Sequence, residues 1–243
     1  MKEFKNFDGL VVFIINHFSK VFKNHAILKG GMVLKLLGSP RFTNDIDYVF
    51  TPFKSKKDIK DLIYNELHKI FQKKIKYQIH STCIRYYIEQ SGIKLQIEVN
   101  TELECSSIDL STFELASKNN QKSSIIRVMS YDIALSHKLG AWNERNLYRD
   151  LYDAYFMFSI LNEYPNFDIL NSRLNKVKIK NKTIKMSLFD FIEKLKKTVY
   201  NLNYKNLSLE LQDSMPEEVL IGLDKKIKIG ISKLIDYLEK QQL

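Results

Sequence analysis

The sequence is poor in the residues that mark fibrous, disordered or disulfide-rich chains. It has only 8 Gly and 4 Pro in 243 residues, against 44% hydrophobic residues, which indicates a folded globular protein. Its two cysteines, Cys83 and Cys105, are too few and too far apart for a disulfide framework or a zinc site. The five histidines are scattered and show no metal-ligand spacing. We therefore expect a protein of the reducing cytoplasm.

Long hydrophobic runs are also absent. The apolar run Leu10–Ile15 follows Lys2 and Lys5, as in a signal peptide, but Asn16 interrupts it after six residues and no small-residue cleavage site follows. We interpret this run as the buried face of a first helix. No run has the length needed to span a bilayer, so we expect no membrane association.

Acidic residues are in the minority throughout the chain. The net charge is +10, with 19 basic and 13 acidic residues up to Ile125 and 19 and 15 after it. Such a basic surface favours polyanions, above all nucleic acid, although a genome that uses lysine freely would give the same composition. Residues 173–185 contain six cations and no acid, which indicates either a solvated face or a nucleic-acid patch.

Hydrophobic periodicity divides the chain at about residue 125. Before this point the patterns predict helices at 3–23, 31–38 and 55–73, and strands at 26–29, 46–50, 76–80, 83–89 and 93–100. After it they predict only helices, at 130–143, 147–162, 166–177, 187–201 and 229–241. We expect an α+β protein with a small mixed sheet flanked by helices in a domain at 1–125. An all-helical domain would follow at 126–243.

The most informative pattern is a pair of glycines followed by a pair of aspartates. A short apolar run ends at Gly30 and Gly31 and opens a helix, and thirteen residues separate Gly31 from Asp45-Ile46-Asp47. In a strand, both aspartates lie on one face, where paired carboxylates suit Mg²⁺. Glycines at a helix N-terminus allow the backbone to approach phosphate closely.

A third carboxylate is offered by the strand predicted at 93–100, where Glu98 is the only acid on the polar face. If this strand lies beside the strand of Asp45 and Asp47, three carboxylates could hold two Mg²⁺ ions. Two-metal sites of this kind carry out in-line phosphoryl displacement. Each feature is weak alone, but their order along the chain predicts a site for nucleotidyl transfer.

Four motifs in this order resemble the AbiEii abortive-infection toxin family, whose members are minimal nucleotidyltransferases of the polymerase-β-like superfamily. The motifs are Gly30-Gly31-Met32-Val33-Leu34 through Arg41-Phe42-Thr43-Asn44-Asp45-Ile46-Asp47, then 96–100, 137–145 and 149–153. They fall within residues 26–158, and the part from about 160 carries no matching motif. Two departures are Met32, where the family commonly has Thr, and Thr43, where it favours Ser.

The resemblance implies a role for each matched residue. The metal ligands would be Asp45, Asp47 and Glu98, and the catalytic set would add Lys138 and Asp150. The nucleotide-binding residues would be Gly30, Gly31, Arg41, Thr43, Lys138, Arg145 and Asp153. The implied enzyme is an Mg²⁺-dependent nucleotidyltransferase of the EC 2.7.7 type, acting on an NTP. Its acceptor would be RNA, such as the tRNA 3′ end, and a cognate antitoxin is a candidate partner.

The second-half motifs leave alternatives open. Lys138 and Arg145 are seven residues apart and so share one face of a helix, from which they could meet a triphosphate. Asp150 could orient Lys138, help to position the nucleophile, or belong to a purely structural salt bridge. Arg41 could contact phosphate or pack at its loop. Trp142 could stack on a base or serve as a hydrophobic anchor.

Two other functions fit the same sequence. The first is a transferase that acts on a small molecule or a protein, and the second is an inert nucleic-acid-binding or regulatory protein with the same fold. Salt-sensitive binding of tRNA would favour an RNA acceptor over the first. Mg²⁺-dependent NTP binding would exclude the second. The sequence does not predict the oligomeric state.

Overall fold

The computed structural model describes residues 4–72, 75–179 and 182–241, and the chain forms two compact units. The first unit comprises Met1–Ser39 and Thr43–Ser130, and the second comprises Pro40–Phe42 and Tyr131–Leu243. The hydrophobic pattern predicts a boundary between residues 125 and 126, whereas the units divide after Ser130, because a sheet strand occupies residues 125–129.

The first unit alternates helices with the strands of one sheet. In chain order its elements are α1 (Phe7–Phe22), β1 (Ala26–Lys29), α2 (Gly31–Leu36), β2 (Asp45–Phe50), α3 (Lys56–Phe71), β3 (Ile75–Ile79), β4 (Ile84–Gln90), β5 (Ile93–Thr101), β6 (Ser107–Ser111), α4 (Phe113–Lys118) and β7 (Ile125–Met129). A 3₁₀ turn at Lys23–His25 joins α1 to β1.

The sheet is mixed, with the strand order β3-β4-β5-β2-β1-β7-β6. Its centre is β2, which runs parallel to β5 and antiparallel to β1. The register between β2 and β5 places Asp45 opposite Gln96 and Asp47 opposite Glu98. The strand predicted to carry the third carboxylate therefore does lie beside the strand of the aspartate pair.

Helices α1 and α3 cover one face of this sheet. The ring of Phe18 on α1 lies 5.2 Å from that of Tyr48 on β2, and the Tyr86 hydroxyl on β4 donates a hydrogen bond to the carbonyl of Lys60 on α3. Because side chains alternate along a strand, Ile46 and Tyr48 are buried on this side and Asp45 and Asp47 lie on the other.

The hairpin between β4 and β5 turns at Ser91-Gly92. Both residues have positive φ, 54° and 78°, which is the conformation of a tight two-residue hairpin turn. Gln90 pairs with Ile93 across the turn, and this register places Arg85 opposite Glu98.

The second unit is helical apart from one small hairpin. Its elements are α5 (Tyr131–Arg145), α6 (Tyr148–Tyr155), α7 (Phe167–Leu174), β8 (Val177–Ile179), β9 (Lys182–Ile184), α8 (Leu188–Asn201), α9 (Tyr204–Leu211), α10 (Glu217–Leu220) and α11 (Leu223–Lys240). A π-helical segment, Phe156–Ile160, continues α6. Strands β8 and β9 pair antiparallel.

The predicted fold class is confirmed, while several elements were missed or misplaced. The sequence patterns predict neither strands β6 and β7 nor helices α4, α9 and α10. The expectation of an all-helical second half is wrong at β8 and β9, which form a hairpin there. The helix predicted at 166–177 ends at Leu174, because Val177 begins strand β8. Residue 3 of the first predicted helix and residue 73 of the third lie outside the described residues. Within the described residues, no helix has the length and apolar character needed to cross a bilayer.

Candidate active site

Three of the predicted site residues share one face of the first unit's sheet, which we name the carboxylate face. Asp45 and Asp47 occupy alternate positions of β2, and Glu98 lies directly opposite Asp47 on β5. All three are partly exposed rather than buried. Strand alternation and the parallel register therefore bring three carboxylates to one surface, as the sequence predicts.

Gly30 makes room for one of these carboxylates. It has φ +77° and ψ −156°, a region that essentially only glycine adopts, and it immediately precedes α2. A Cβ atom added at Gly30 would lie 2.3 Å from Oδ2 of Asp47. The glycine predicted to admit phosphate thus has a second, structural reason to lack a side chain.

Thr43 fixes the other aspartate. Its hydroxyl donates a hydrogen bond of 2.6 Å to Oδ1 of Asp45, and the Thr43 side chain is buried. Thr43 stands where the family favours Ser, and its hydroxyl orients the carboxylate of Asp45. Whether it also contacts a nucleotide stays a prediction.

Arg85 also belongs to the carboxylate face, although no motif in the sequence indicates it. Its Nε atom donates a hydrogen bond of 2.9 Å to Oε2 of Glu98, with side-chain exposures of 39% and 28%. This bond is the largest reason why the pKa of Arg85 is raised. Lys29 lies opposite Asp47 on β1, so one row of the sheet reads Lys29, Asp47, Glu98, Arg85.

The chemistry of this face fits Mg²⁺ that arrives with a nucleotide. Mg²⁺ usually takes one or two carboxylates and completes its shell with phosphate and water oxygens, which Asp45 and Asp47 satisfy. Among the described residues, no group of three or more His, Cys, Asp or Glu side chains forms a ready-made metal site. Glu98 accepts a hydrogen bond from Arg85 and is therefore not free to bind an ion without losing it. The binding of two ions by three carboxylates stays a prediction.

Five other predicted residues form a network of ion pairs within the second unit, which we name the cation network. At its centre is Asp153, which is fully buried on α6. Arg41 donates two hydrogen bonds to its carboxylate, at 2.7 and 2.9 Å, and Nζ of Lys138 lies 2.6 Å from Oδ2. Bidentate contact by Arg and a second cation on one carboxylate make this a strongly held group.

The pKa of Asp153 is lowered despite its burial. Burial alone would raise the pKa, but the charges of Lys138 and Arg41 and their hydrogen bonds to the carboxylate outweigh it. The carboxylate is therefore ionised, and it holds both cations in place. The sequence leaves two roles open for Arg41, phosphate contact and packing at its loop. In the structure Arg41 has a different role, because it pairs with Asp153.

Asp150 completes the cation network through a salt bridge with Arg145, which is one of the alternatives that the sequence leaves open. Arg145 donates hydrogen bonds of 2.7–3.1 Å to its buried carboxylate, whereas Nζ of Lys138 is 3.9 Å away. Lys138 is thus held mainly by Asp153 and only weakly by Asp150. Asp150 and Asp153 are three residues apart and share one face of α6, so the spacing alone could not rank them.

Exposure separates the cations of this network. The Arg145 side chain is 48% exposed and that of Lys138 is 18% exposed. Trp142, by contrast, is buried inside the second unit, where its ring lies 5.8 Å from that of Phe191. Its buried ring packs in the core and leaves no open face on which a base could stack.

A family model described as "Nucleotidyl transferase AbiEii toxin, Type IV TA system" matches residues 16–223, most of the chain. The chain belongs to the AbiEii nucleotidyltransferase toxin family. The predicted resemblance is therefore confirmed. The match includes every motif that carries the resemblance. It continues to residue 223, whereas those motifs all lie before residue 158.

Solved structures agree with this AbiEii fold over nearly the whole chain. JHP933 from Helicobacter pylori is 17% identical, covers 98% of this chain and 96% of its own, and has a TM-score of 0.55. A protein described as a proposed nucleotidyltransferase from H. pylori is 16% identical, with 96% coverage of both chains and a TM-score of 0.55. At this identity the likeness shows the fold alone. No curated protein matches the chain.

Proposed function

We propose that this AbiEii-family protein transfers a nucleoside monophosphate from an Mg²⁺-bound NTP to a hydroxyl group of RNA, such as the tRNA 3′ end, as the toxin of a toxin–antitoxin system. The observation that carries the proposal is the pair Asp45 and Asp47 on one sheet face, the first oriented by Thr43 and the second seated against Gly30. Two fixed, partly exposed carboxylates are suited to metal-assisted phosphoryl chemistry.

The reaction would proceed by in-line displacement. The acceptor oxygen forms a bond to the α-phosphorus, the bond from that phosphorus to the oxygen bridging to the β-phosphate breaks, and pyrophosphate leaves. The acceptor proton passes to a base, for which Glu98 is the candidate because it lies opposite Asp47. To accept this proton, Glu98 would first have to give up the hydrogen bond that it accepts from Arg85.

Asp45 and Asp47 would hold Mg²⁺, with Glu98 as the candidate third ligand. When bound, the ion would offset negative charge on the phosphates and on the attacking and leaving oxygens. Gly30 and Gly31 would leave the backbone before α2 open to the phosphates. A side chain at Gly30 would instead displace the carboxylate of Asp47.

In the second unit, Lys138 and Arg145 would stabilise charge on the triphosphate. Arg145 has the more exposed side chain and is the better placed of the two to reach a ligand. Asp150 and Asp153 would act as positioning residues, because buried carboxylates fix the cations before substrate arrives. Preorganised charges of this kind need no rearrangement during the reaction.

An RNA acceptor accords with the net charge of +10, since a basic surface attracts polyanions. The experiment that tests the proposal is incubation with each α-³²P-NTP, MgCl₂ and total bacterial RNA. We expect label in RNA with one or more NTPs for the natural chain, and only background label for Asp47→Ala. The matched control is Asp61→Ala, which removes an exposed carboxylate from α3 of the same unit and should keep full transfer.

Each alternative has its own outcome in this assay. Label in protein or a small molecule, with Asp47→Ala inactive, would move the acceptor away from RNA and leave the chemistry in place. Label transfer by Asp47→Ala at the natural rate would refute the metal assignment. Urea unfolding of each variant shows whether a loss of transfer reflects a loss of fold.

A further inference from the structure

A concave site outside the carboxylate face lies in the first unit, between α1 with the segment before it and the loop that follows α4. Its cavity measures about 780 Å³, within the usual range for ligand sites. Four lysines line it, and no Asp or Glu among the described residues does: Lys5, Lys20, Lys118 and Lys122. We name this site the lysine groove.

The lysine groove is separate from the proposed catalytic site. It is lined by residues of α1, and α1 packs through Phe18 against Tyr48 and Phe50 of β2. Those two side chains lie on the sheet face opposite Asp45 and Asp47, because residues alternate along the strand. A ligand in the groove would therefore lie on the other side of the sheet from the carboxylates.

The walls of the groove are fixed by hydrogen bonds between α1 and the loop. The side-chain amide of Asn16 donates to the carbonyl of Lys122 at 2.8 Å, and that of Gln121 donates to the carbonyl of Gly9 at 2.7 Å. The hydroxyl of Thr112 donates to Asn16 at 2.9 Å. A preformed groove costs less entropy to fill than a mobile surface would.

Protein carboxylates compensate little of the positive charge of the groove: Glu66 lies 3.5 Å from the lining residue His17, but no carboxylate pairs with the lysines in the described part of the chain. The four lysines are exposed, and none of them forms an ion pair within the described part of the chain. Four like charges around one cavity repel one another unless an anion lies among them. The groove therefore favours a polyanionic ligand.

Aromatic rings distinguish the kind of polyanion. Phe13 is only partly buried in the groove, where its ring lies 5.1 Å from that of Phe4 and is stacked with the ring of His17. Sites for single-stranded nucleic acid combine cations that follow the phosphates with aromatic rings on which bases stack. An acidic peptide without aromatic side chains would use the lysines but would have no ring to place on Phe13.

We propose that the lysine groove binds a single-stranded segment of RNA at a distance from the carboxylate face. That this RNA is the acceptor of nucleotidyl transfer rests on the proposed function, whereas binding in the groove does not. The groove would hold the body of an acceptor whose reacting end lies elsewhere. It would thus select for RNA over small acceptors.

The first test uses fluorescence anisotropy with a labelled oligouridylate of about 12 nucleotides, over a series of salt concentrations. Each lysine–phosphate contact contributes about 0.7 to the slope of log K against log salt for a single strand. We expect Lys118→Gln/Lys122→Gln to reduce that slope by about 1.4. The matched control is Lys176→Gln/Lys185→Gln, which removes two exposed cations from the basic run at 173–185 and should leave the slope unchanged.

The second test separates stacking from charge. Phe13→Leu keeps an apolar side chain but removes the ring, and we expect it to weaken RNA binding about fivefold. Because no charge is lost, the salt slope should stay at its natural value. An RNA site requires both results. The lysine variant should lose affinity with a smaller salt slope, and Phe13→Leu should lose affinity with the slope unchanged.

Three results would overturn the inference. The first is no RNA binding by the natural chain, and the second is equal loss of the slope in the groove variant and its control. The third is competition by polyglutamate at equal charge concentration together with full binding by Phe13→Leu, which would indicate an acidic protein partner.

The groove and the proposed function fail separately. Lys118→Gln/Lys122→Gln should bind Mg²⁺-NTP normally, and Asp47→Ala should bind the oligouridylate normally. Groove-dependent RNA binding without any transfer would support the groove and contradict the transfer reaction. Asp47-dependent transfer to RNA, with unchanged oligouridylate binding in the groove variant, would support the transfer reaction and contradict the groove.

Discussion

The carboxylates of the two units differ in burial, and the difference separates two roles. On the carboxylate face, Asp45, Asp47 and Glu98 are partly exposed; Asp45 accepts a hydrogen bond from a hydroxyl, and Glu98 accepts one from a partly exposed arginine. In the cation network, Asp150 and Asp153 are buried against two arginines and a lysine. Residues of one type thus serve as candidate ligands in one unit and as fixed counter-charges in the other.

Solvation explains why these roles are not interchangeable. A partly exposed carboxylate can exchange its partner for a cation at little cost, because water and salt already weaken surface ion pairs. A buried carboxylate that loses its charge leaves its cations uncompensated in a poorly solvated place. Removing a negative charge should therefore affect mainly ligand binding in the first unit and mainly stability in the second.

The largest expected effect is on the stability of Asp153→Asn. It leaves Arg41 and Lys138 without their charged partner, and breaking a buried pair in this way costs about 3–5 kcal/mol. Urea unfolding measures it, with Asp47→Asn as the comparison, for which we expect a loss under about 1 kcal/mol. Equal losses of unfolding free energy in the two variants would contradict the different roles of the carboxylates in the two units.

The same variant should change the pH dependence of stability. Because the pKa of Asp153 is lowered in the folded state, its contribution is present above the ordinary value of 3.8 and is lost as the pH falls through the folded pKa. The natural chain should therefore lose stability below about pH 4 more steeply than Asp153→Asn. Identical acid profiles would mean that Asp153 titrates normally.

Gly30→Ala should have the next largest effect, on both stability and ligand binding. Its backbone conformation costs about 1–3 kcal/mol for a residue with a side chain, and its Cβ would displace Asp47. Gly38→Ala is the matched control, since Gly38 also has positive φ, +87°, but has open space around a new Cβ. We expect only Gly30→Ala to weaken Mg²⁺-NTP binding, by about tenfold or more. Equal binding by both variants would mean that the position of Asp47 is immaterial.

The smallest expected effect is a gain in affinity with Arg85→Gln. Removing the guanidinium frees Glu98, and an exposed pair of this kind is worth at most about 1 kcal/mol. Mg²⁺-NTP should therefore bind up to about fivefold more tightly, as measured by calorimetry, with little change in stability. Unchanged or weaker binding would exclude Glu98 as a ligand that competes with Arg85.

Much of the carboxylate face follows from local rules that a sequence displays. Alternation along 45–50 and 93–100 predicts which residues share a face. The two-residue turn at Ser91-Gly92 even fixes the register that places Arg85 opposite Glu98, so this arginine could have been found by counting back from the turn. Only the pairing of β2 with β5 needed the resemblance to a family.

The rest depends on contacts between residues distant in sequence. Arg41 and Asp153 are separated by 112 positions, and no periodic pattern links them. The preference of Lys138 for Asp153 over Asp150 depends on how α5 packs on α6, since both carboxylates lie on one helical face. Strand β7 was missed because its five residues follow the loop at which the hydrophobic pattern changes, and only pairing with β1 and β6 defines it.

The most direct test of the central claim is calorimetric titration of Asp45→Asn and Asp47→Asn with each NTP in the presence and absence of MgCl₂. If these two carboxylates hold the ion, the natural chain binds an NTP in an Mg²⁺-dependent way, and each variant loses about a hundredfold or more in that affinity. Both should remain folded, since neither residue is buried. Mg²⁺-dependent binding of natural strength in either variant would contradict the claim.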